Sequence, residues 1–365
     1  MKMRGLYVHI PFCRSKCGYC DFPSEAGREA DIGAYLDALT AEAARYDGLA
    51  GSFSTLYVGG GTPSLLSPDQ FGRLLGVLES LTGPLAGLRE STFEANPESL
   101  DEEKAVLLKK AGVGRVSLGL QATQDRLLKQ LGRLAMREDF LRAYRTLRAA
   151  GFDNLSADLM CGLPGQSEAE FAESLDWLLG LAPEHVSLYA LEVHEGTPFH
   201  SASVAEAPDA AAAMYEAAAA RLKAAGLERY EISNFARAGR ESLHNLNYWE
   251  QGEYLGLGPG AASYLDGERR ANAPALNGYL EAAGAGLPPP EQYREKLQGR
   301  AKNAELVMLG LRKTAGIELP EDIFIEFRPE LDRLLEAGLI ETRGRQVRIR
   351  EDRLYVANAV FREFV

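Results

Sequence analysis

The sequence predicts an α/β protein: a partial parallel (β/α)6 barrel followed by a small α+β module. Two observations predict it. Short apolar runs with strand periodicity at 5–10, 55–58, 91–95, 115–120, 155–160 and 185–191 alternate with amphipathic helical patterns at 32–45, 68–81, 101–111, 124–131, 137–150 and 168–179. Strand-then-helix units in series require parallel strands joined by right-handed crossovers. In addition, polar residues fall at the C-terminal ends of successive strands, at the cysteines after the first, Gly59–Thr62 after the second, then Glu94, Gln121 and Asp158. A barrel gathers such ends around one mouth, whereas an open doubly wound sheet spreads them along an edge.

The remaining elements follow in order. An alanine-rich pattern at 209–225 predicts a helix and 229–232 a short strand. Segment 233–275, rich in Gly, Asn and aromatic residues, is expected to be an irregular cover over the active face. The run Leu287-Pro-Pro-Pro290 breaks the chain, so the domain reading is 1–275 for the barrel and the motif after it, 276–290 as linker, and 291–365 as a C-terminal module. In that module helices at 292–312 and 329–337, a hairpin turning at Gly344 and a final helix resemble a winged helix.

Composition narrows the function classes. The 365 residues are 46% apolar and 25% charged, as expected of a globular chain. A net charge of −12 provides no basic field for nucleic acid. Apolar runs stop well short of the roughly 18 residues needed to span a bilayer. A cytoplasmic protein with reduced thiols is therefore expected.

Three of the four cysteines, Cys13, Cys17 and Cys20, lie within eight residues. Three thiolates on one loop can hold three irons of a cubane cluster and leave the fourth iron open to a small molecule. Two other readings compete: a disulfide, which leaves one thiol over, and a closed zinc site completed by His9. Cys161 follows an apolar run and reads as a small core residue. The glycines of Gly59-Gly60-Gly61-Thr62-Pro63 let backbone amides approach a ligand, although the spacing fits neither a dinucleotide fingerprint nor a P-loop. Glu94 and Gln121 occupy strand ends, Arg133 follows a helix, and Asp158 is a carboxylate flanked by apolar residues that needs partners. A later cluster, His244-Asn-Leu-Asn-Tyr248-Trp249, combines one of five histidines with one of two tryptophans. Histidine and tyrosine can ligate iron, and tryptophan offers a flat apolar face.

These motifs together resemble the radical S-adenosylmethionine superfamily. The residues are CxxxCxxC with Tyr19 before the last cysteine, Tyr7-Val-His-Ile-Pro-Phe-Cys13, Gly-Gly-Gly-Thr-Pro, Glu94-Ala-Asn-Pro97, Val-Ser-Leu-Gly-Leu-Gln121, Leu-Gly-Arg133 and Asp158-Leu-Met-Cys-Gly-Leu-Pro-Gly-Gln166, in family order over essentially the whole chain. The resemblance implies a TIM-like radical SAM barrel with a [4Fe–4S] cluster on Cys13, Cys17 and Cys20. It assigns S-adenosylmethionine to Gly60, Gly61, Thr62, Glu94, Gln121, Arg133 and Asp158, with Tyr7 and Tyr19 near the cluster. Two branches share these motifs. Oxygen-independent coproporphyrinogen III oxidases carry a further cysteine two residues after the last cluster cysteine, where this chain has Phe22, and an N-terminal extension, where this match begins at Tyr7. The HNxxYW stretch is typical of the heme-chaperone branch, the HemW family. That branch implies heme as a third bound group, with His244 as its ligand and Tyr248 and Trp249 packing the ring. It also implies recipient hemoproteins of respiration, met at a membrane surface, an electron donor such as flavodoxin or ferredoxin, and room for a homodimer. Radical cleavage of S-adenosylmethionine is expected, coproporphyrinogen oxidation is not. Gly18, where proline is common, should loosen the cysteine loop, and Ala135 stands where a histidine is frequent.

Overall fold

In the computed structural model, which describes residues 3–365, six parallel strands follow one another in chain order: β1 (Arg4–Ile10), β2 (Thr55–Gly60), β3 (Glu90–Ala95), β4 (Arg115–Gln121), β5 (Leu155–Cys161) and β6 (His185–Ala190). Each hands on to helices packed outside: α1 (Ile32–Ala44), α2 (Pro68–Thr82), α3 (Glu102–Lys110), α4 (Asp125–Gln130), α5 (Arg137–Ala149) and α6 (Glu168–Leu179). The expected elements are therefore present with ends displaced by a residue or two. Local chemistry fixes several starts. Ser67 and Ser167 form capping boxes with Gln70 and Glu170, and Asp101 accepts from the Lys104 amide.

The period of two along these strands sorts the residues into two sets. Leu6, Val8 and Ile10 on β1, Leu56 and Val58 on β2, Val116, Leu118 and Leu120 on β4, and Leu155, Ala157, Leu159 and Cys161 on β5 join the main apolar core with the helices. Cys161 is thus a core residue. The alternate set is polar: Tyr7, His9, Tyr57, Glu94, Arg115, Ser117, Asp158, His185 and Ser187.

The chain continues through α7 (Pro198–Ser201), α8 (Pro208–Ala224), β7 (Glu228–Arg229), β8 (Asn234–Ala236) and α9 (Leu243–Trp249). Segment 233–275 differs from the irregular cover expected. It also forms β9 (Glu253–Leu257), β10 (Ala262–Leu265) and β11 (Glu268–Asn272), and β9 pairs in parallel with β1, Arg4 opposite Glu253. With β12 (Glu291–Glu295) the sheet reaches twelve strands in the order β12-β11-β10-β9-β1-β2-β3-β4-β5-β6-β8-β7. It curves without closing, as a partial barrel should.

Segment 276–290 is also more structured than a linker. It holds α10 (Leu276–Gly284), whose Tyr279 hydroxyl donates to the buried Glu42 carboxylate of α1 at 2.7 Å. The second apolar core begins only with α11 (Gly299–Gly310). It includes α12 (Glu321–Glu326), α13 (Arg328–Glu336), α14 (Ala357–Phe361) and the small sheet of β13 (Ile317–Glu318), β14 (Ile340–Arg343) and β15 (Gln346–Ile349), with Gly344 in the left-handed region at the hairpin turn. Among the described residues no helix is long and apolar enough to cross a membrane.

Candidate functional site

One cavity of about 630 Å³ opens where the six parallel strands end, and its far wall is the C-terminal module. Cys13, Cys17, Cys20, Tyr19, Gly60, Gly61, Thr62, Glu94, Gln121, Arg133 and Asp158 all line it. The strand order brings together residues up to 145 positions apart because most sit at or just beyond the ends of neighbouring parallel strands, while Arg133 follows α4.

The cysteine loop is clamped rather than loose. The Gly18 amide donates to the Leu131 carbonyl at 2.9 Å and its carbonyl accepts from Phe199 at 2.8 Å. A Cβ at position 18 would stand 2.3 Å from the Phe199 ring. A proline there would remove the donor and meet the ring, so glycine tightens this version of the loop, against the sequence expectation. All four cysteines are free of disulfides. Burial holds the Cys17 thiol above its ordinary pKa, partly offset by Arg133, and pushes Cys20 up to about 11, partly offset by the Phe22 amide. Metal binding must therefore displace protons from these thiols. Among the described residues no three His, Cys, Asp or Glu side chains could hold a single ion. His9, the residue that would complete a zinc set, has Nδ1 2.9 Å from the Tyr7 hydroxyl and Nε2 2.6 Å from the Pro23 carbonyl.

The glycine loop is fitted to the cysteine loop. The Gly61 and Thr62 amides donate to the Ile10 and Phe12 carbonyls at 2.8 and 2.7 Å, and the Thr62 hydroxyl lies 3.4 Å from Cys13 Sγ. Gly60 has φ +110°, and a Cβ there would sit 2.6 Å from the His9 ring. Only glycine meets both constraints.

The carboxylates are held with capacity to spare. Glu94 Oε1 accepts from the Tyr57 hydroxyl at 2.7 Å and Oε2 from the Gly60 amide at 3.1 Å, yet burial raises its pKa to about 7, with help from Asp158. Burial likewise raises Asp158, partly offset by Ser187, Ser117 and the buried Arg115. Gln121 sits at a β-bulge with φ 63°, and its buried Oε1 has no partner. A strained backbone and an orphan acceptor at a cavity wall are what a ligand contact requires. Arg133 donates to the Gly119 carbonyl at 3.0 Å and lies beside Cys17. The sequence reading missed Tyr57, Ser117, Ser187 and Arg115; their inward register on β2, β4 and β6 was the available signal.

Tyr7 lies one layer deeper, beneath Glu94, bonded to His9. His244, Tyr248 and Trp249 are not on the cavity. His244 is completely buried, with Nδ1 2.9 Å from the Thr55 hydroxyl and Nε2 2.8 Å from the Tyr248 hydroxyl. Thr55 begins β2, so the imidazole stands at the opposite end of the barrel. Burial drives its pKa down to about 3, keeping it neutral. The carboxylate of Glu90 fastens the start of α9, accepting from the Leu243 and His244 amides at 2.7 and 3.2 Å. Both ring nitrogens of His244, the residue expected to ligate heme, thus face hydroxyl partners at the barrel floor. Trp249 points the other way, under the Arg312 guanidinium at 4.2 Å.

Three cysteines, a glycine loop and strand-end carboxylates around one mouth define a radical S-adenosylmethionine protein, and residues 7–178 match the radical SAM superfamily. Membership implies a [4Fe–4S] cluster and S-adenosylmethionine. The thiol loop and the orphaned Gln121 acceptor fit them. The chain is 36% identical to the heme chaperone HemW of Bacillus subtilis, with 100% of this chain and 99% of that one covered. It is 37% identical to HemW of Mycobacterium tuberculosis H37Rv, covering 98% and 94%. The chain belongs to the HemW family. Coproporphyrinogen III oxidase (HemN) of Escherichia coli, a radical SAM enzyme, shares the fold with a TM-score of 0.84 at 23% identity, over 100% of this chain and 90% of that one.

Proposed function

We propose that this protein is a heme chaperone that binds a [4Fe–4S] cluster, S-adenosylmethionine and heme at one mouth and passes heme to hemoproteins. The observation that carries the reading is the shared cavity: thiols, cofactor-facing polar groups and a broad wall of Met160, Leu188, Tyr189 and Leu354 line the same space. Cys13, Cys17 and Cys20 would hold the cluster, which supplies one electron to the bound sulfonium. Gly60, Gly61 and Thr62 would take the methionine part. Glu94 and Asp158 suit its amine and ribose hydroxyls, Gln121 the remaining donors, and Arg133 its carboxylate. Tyr19 packs beside the cysteine loop and keeps water from it.

Recipient hemoproteins, respiratory ones at a membrane surface among them, an electron donor of the flavodoxin or ferredoxin kind and self-association belong to the same proposal. The test is anaerobic reconstitution, followed by hemin loading and incubation with an apo-hemoprotein in one aliquot and with coproporphyrinogen III, reductant and S-adenosylmethionine in another. Heme transfer without protoporphyrinogen supports the chaperone; protoporphyrinogen formation replaces it with the oxidase reading.

A further inference from the structure

Arg312, at the end of α11, is the cation that the C-terminal module brings to the mouth. Two other cations line the same cavity, and both have acceptors: Arg133 on the Gly119 carbonyl, Lys16 on the Phe22 carbonyl at 3.3 Å. The Arg312 side chain makes no hydrogen bond or ion pair with the described residues, and its buried Nε has no partner. Glu231, an acid within its electrostatic reach, is itself buried with Oε2 unpartnered and Oε1 taken by the Ser233 amide and Asn234 side chain. The guanidinium is nonetheless held in place, 4.2 Å from the Trp249 ring centroid and 5.9 Å from that of Phe361. Stacking fixes the plane of the fork while leaving its donors unspent, which is the arrangement that receives a carboxylate in two parallel hydrogen bonds. The same cavity is lined by the largely apolar side chains of Tyr189, Ile232, Leu354 and Tyr355.

We propose that Arg312 anchors a propionate carboxylate of the bound tetrapyrrole, with the ring laid on those apolar side chains and Trp249 acting as the positioning residue that aims the guanidinium. This rests on the heme reading above and adds the residue that recognises the charged edge of the ligand. It also accounts for the tryptophan of the HNxxYW motif, which reaches the ligand only through Arg312.

The test is Soret titration of the reconstituted protein with hemin and with hemin dimethyl ester, whose esterified propionates carry no charge, for the wild type, Arg312→Lys and Arg312→Gln. The wild type is expected to prefer hemin over the ester by about tenfold or more, as a charge-assisted bidentate pair implies. Arg312→Gln should lose that preference while keeping ester affinity, and Arg312→Lys should fall between. Equal wild-type affinity for the two ligands, or equal weakening of both by Arg312→Gln, overturns the anchor, the second outcome marking Arg312 as a counter-charge to Glu231. Should Arg312→Gln weaken S-adenosylmethionine binding and leave the hemin preference intact, the cation serves the other ligand and the proposal fails. A wild type that binds neither porphyrin fails the heme reading itself. The wild-type comparison needs no variant, so a misfolded mutant does not remove the test.

Discussion

The two ends of this barrel are built from the same materials and do opposite things. At the floor, His244 joins Thr55 to Tyr248, and His185 joins Ser156 to Tyr230 with both contacts at 2.8 Å. Four ring nitrogens have four hydroxyl partners. At the mouth, Gln121 Oε1 and Arg312 Nε are buried without partners, and Glu94 is pushed toward neutrality. Buried histidine and tyrosine therefore do not by themselves mark a ligand site; the unpartnered atoms of Gln121 and Arg312 belong to residues that line a cavity, whereas Arg115 Nε and Asn154 Oδ1, unpartnered at the floor, do not.

Mutation should separate the ends, with the largest effect at the cysteine loop. Cys17→Ala leaves only two thiolates and should reduce reconstituted iron from ~4 per chain to near zero, as iron and sulfide analysis checks, with the midpoint of urea unfolding of the apo-protein shifted little. The next effect belongs to the floor. His244→Ala leaves the Thr55 and Tyr248 hydroxyls unpaired and opens a cavity, so it should destabilise by about 2–4 kcal/mol in urea melts. The Soret spectrum of the heme-loaded variant should stay unchanged; a lost or shifted band would return His244 to the heme site.

Acid sharpens the same contrast because the ends titrate with opposite sign. His244 has a folded pKa of about 3 against an ordinary 6.5, so below 6.5 the unfolded chain binds more protons and the floor loses stability as pH falls toward 3. Glu94 has a folded pKa of about 7 against 4.5, so its protonated form stabilises the apo-protein below 4.5 and that contribution is lost as pH rises through 7. A cationic ligand prefers the carboxylate form. S-adenosylmethionine affinity should thus rise with pH and level off above about 7, being roughly tenfold lower one unit below, and Glu94→Gln should flatten the profile in calorimetric titration. The smallest effect is expected of Ser117→Ala, which removes one 3.2 Å donor to Asp158 and should weaken that binding by about 1 kcal/mol or less.

Much of the barrel was legible because its signals are local: alternating strands, amphipathic helices and strand-end polar residues all lie within a few positions. The cysteine loop was legible for the same reason. What escaped depends on distance along the chain. Segment 233–275 contains short, weakly apolar strands whose identity comes from β1, some 250 residues earlier, and the helix in segment 276–290 is held by Glu42. The HNxxYW residues share a sequence motif, yet His244 points into the floor and Trp249 to the module interface. No pattern in the motif states this, since α9 is only seven residues long and turns its faces to different neighbours. Arg312 became visible only once Trp249 lay beneath it.

The placement of β1 also governs when the site can be made. Its partner on one side, β2, follows within fifty residues, but its partner on the other, β9, begins at Glu253. At ribosomal rates of about 5–20 residues per second, the strand that carries the cysteine loop waits tens of seconds for its second neighbour. Glu42 meets the same delay, since the Gly258 amide and the Asn272 side chain are its partners. The sheet that carries the cysteine loop is accordingly complete on both sides of β1 only after residues 253–257 have been made.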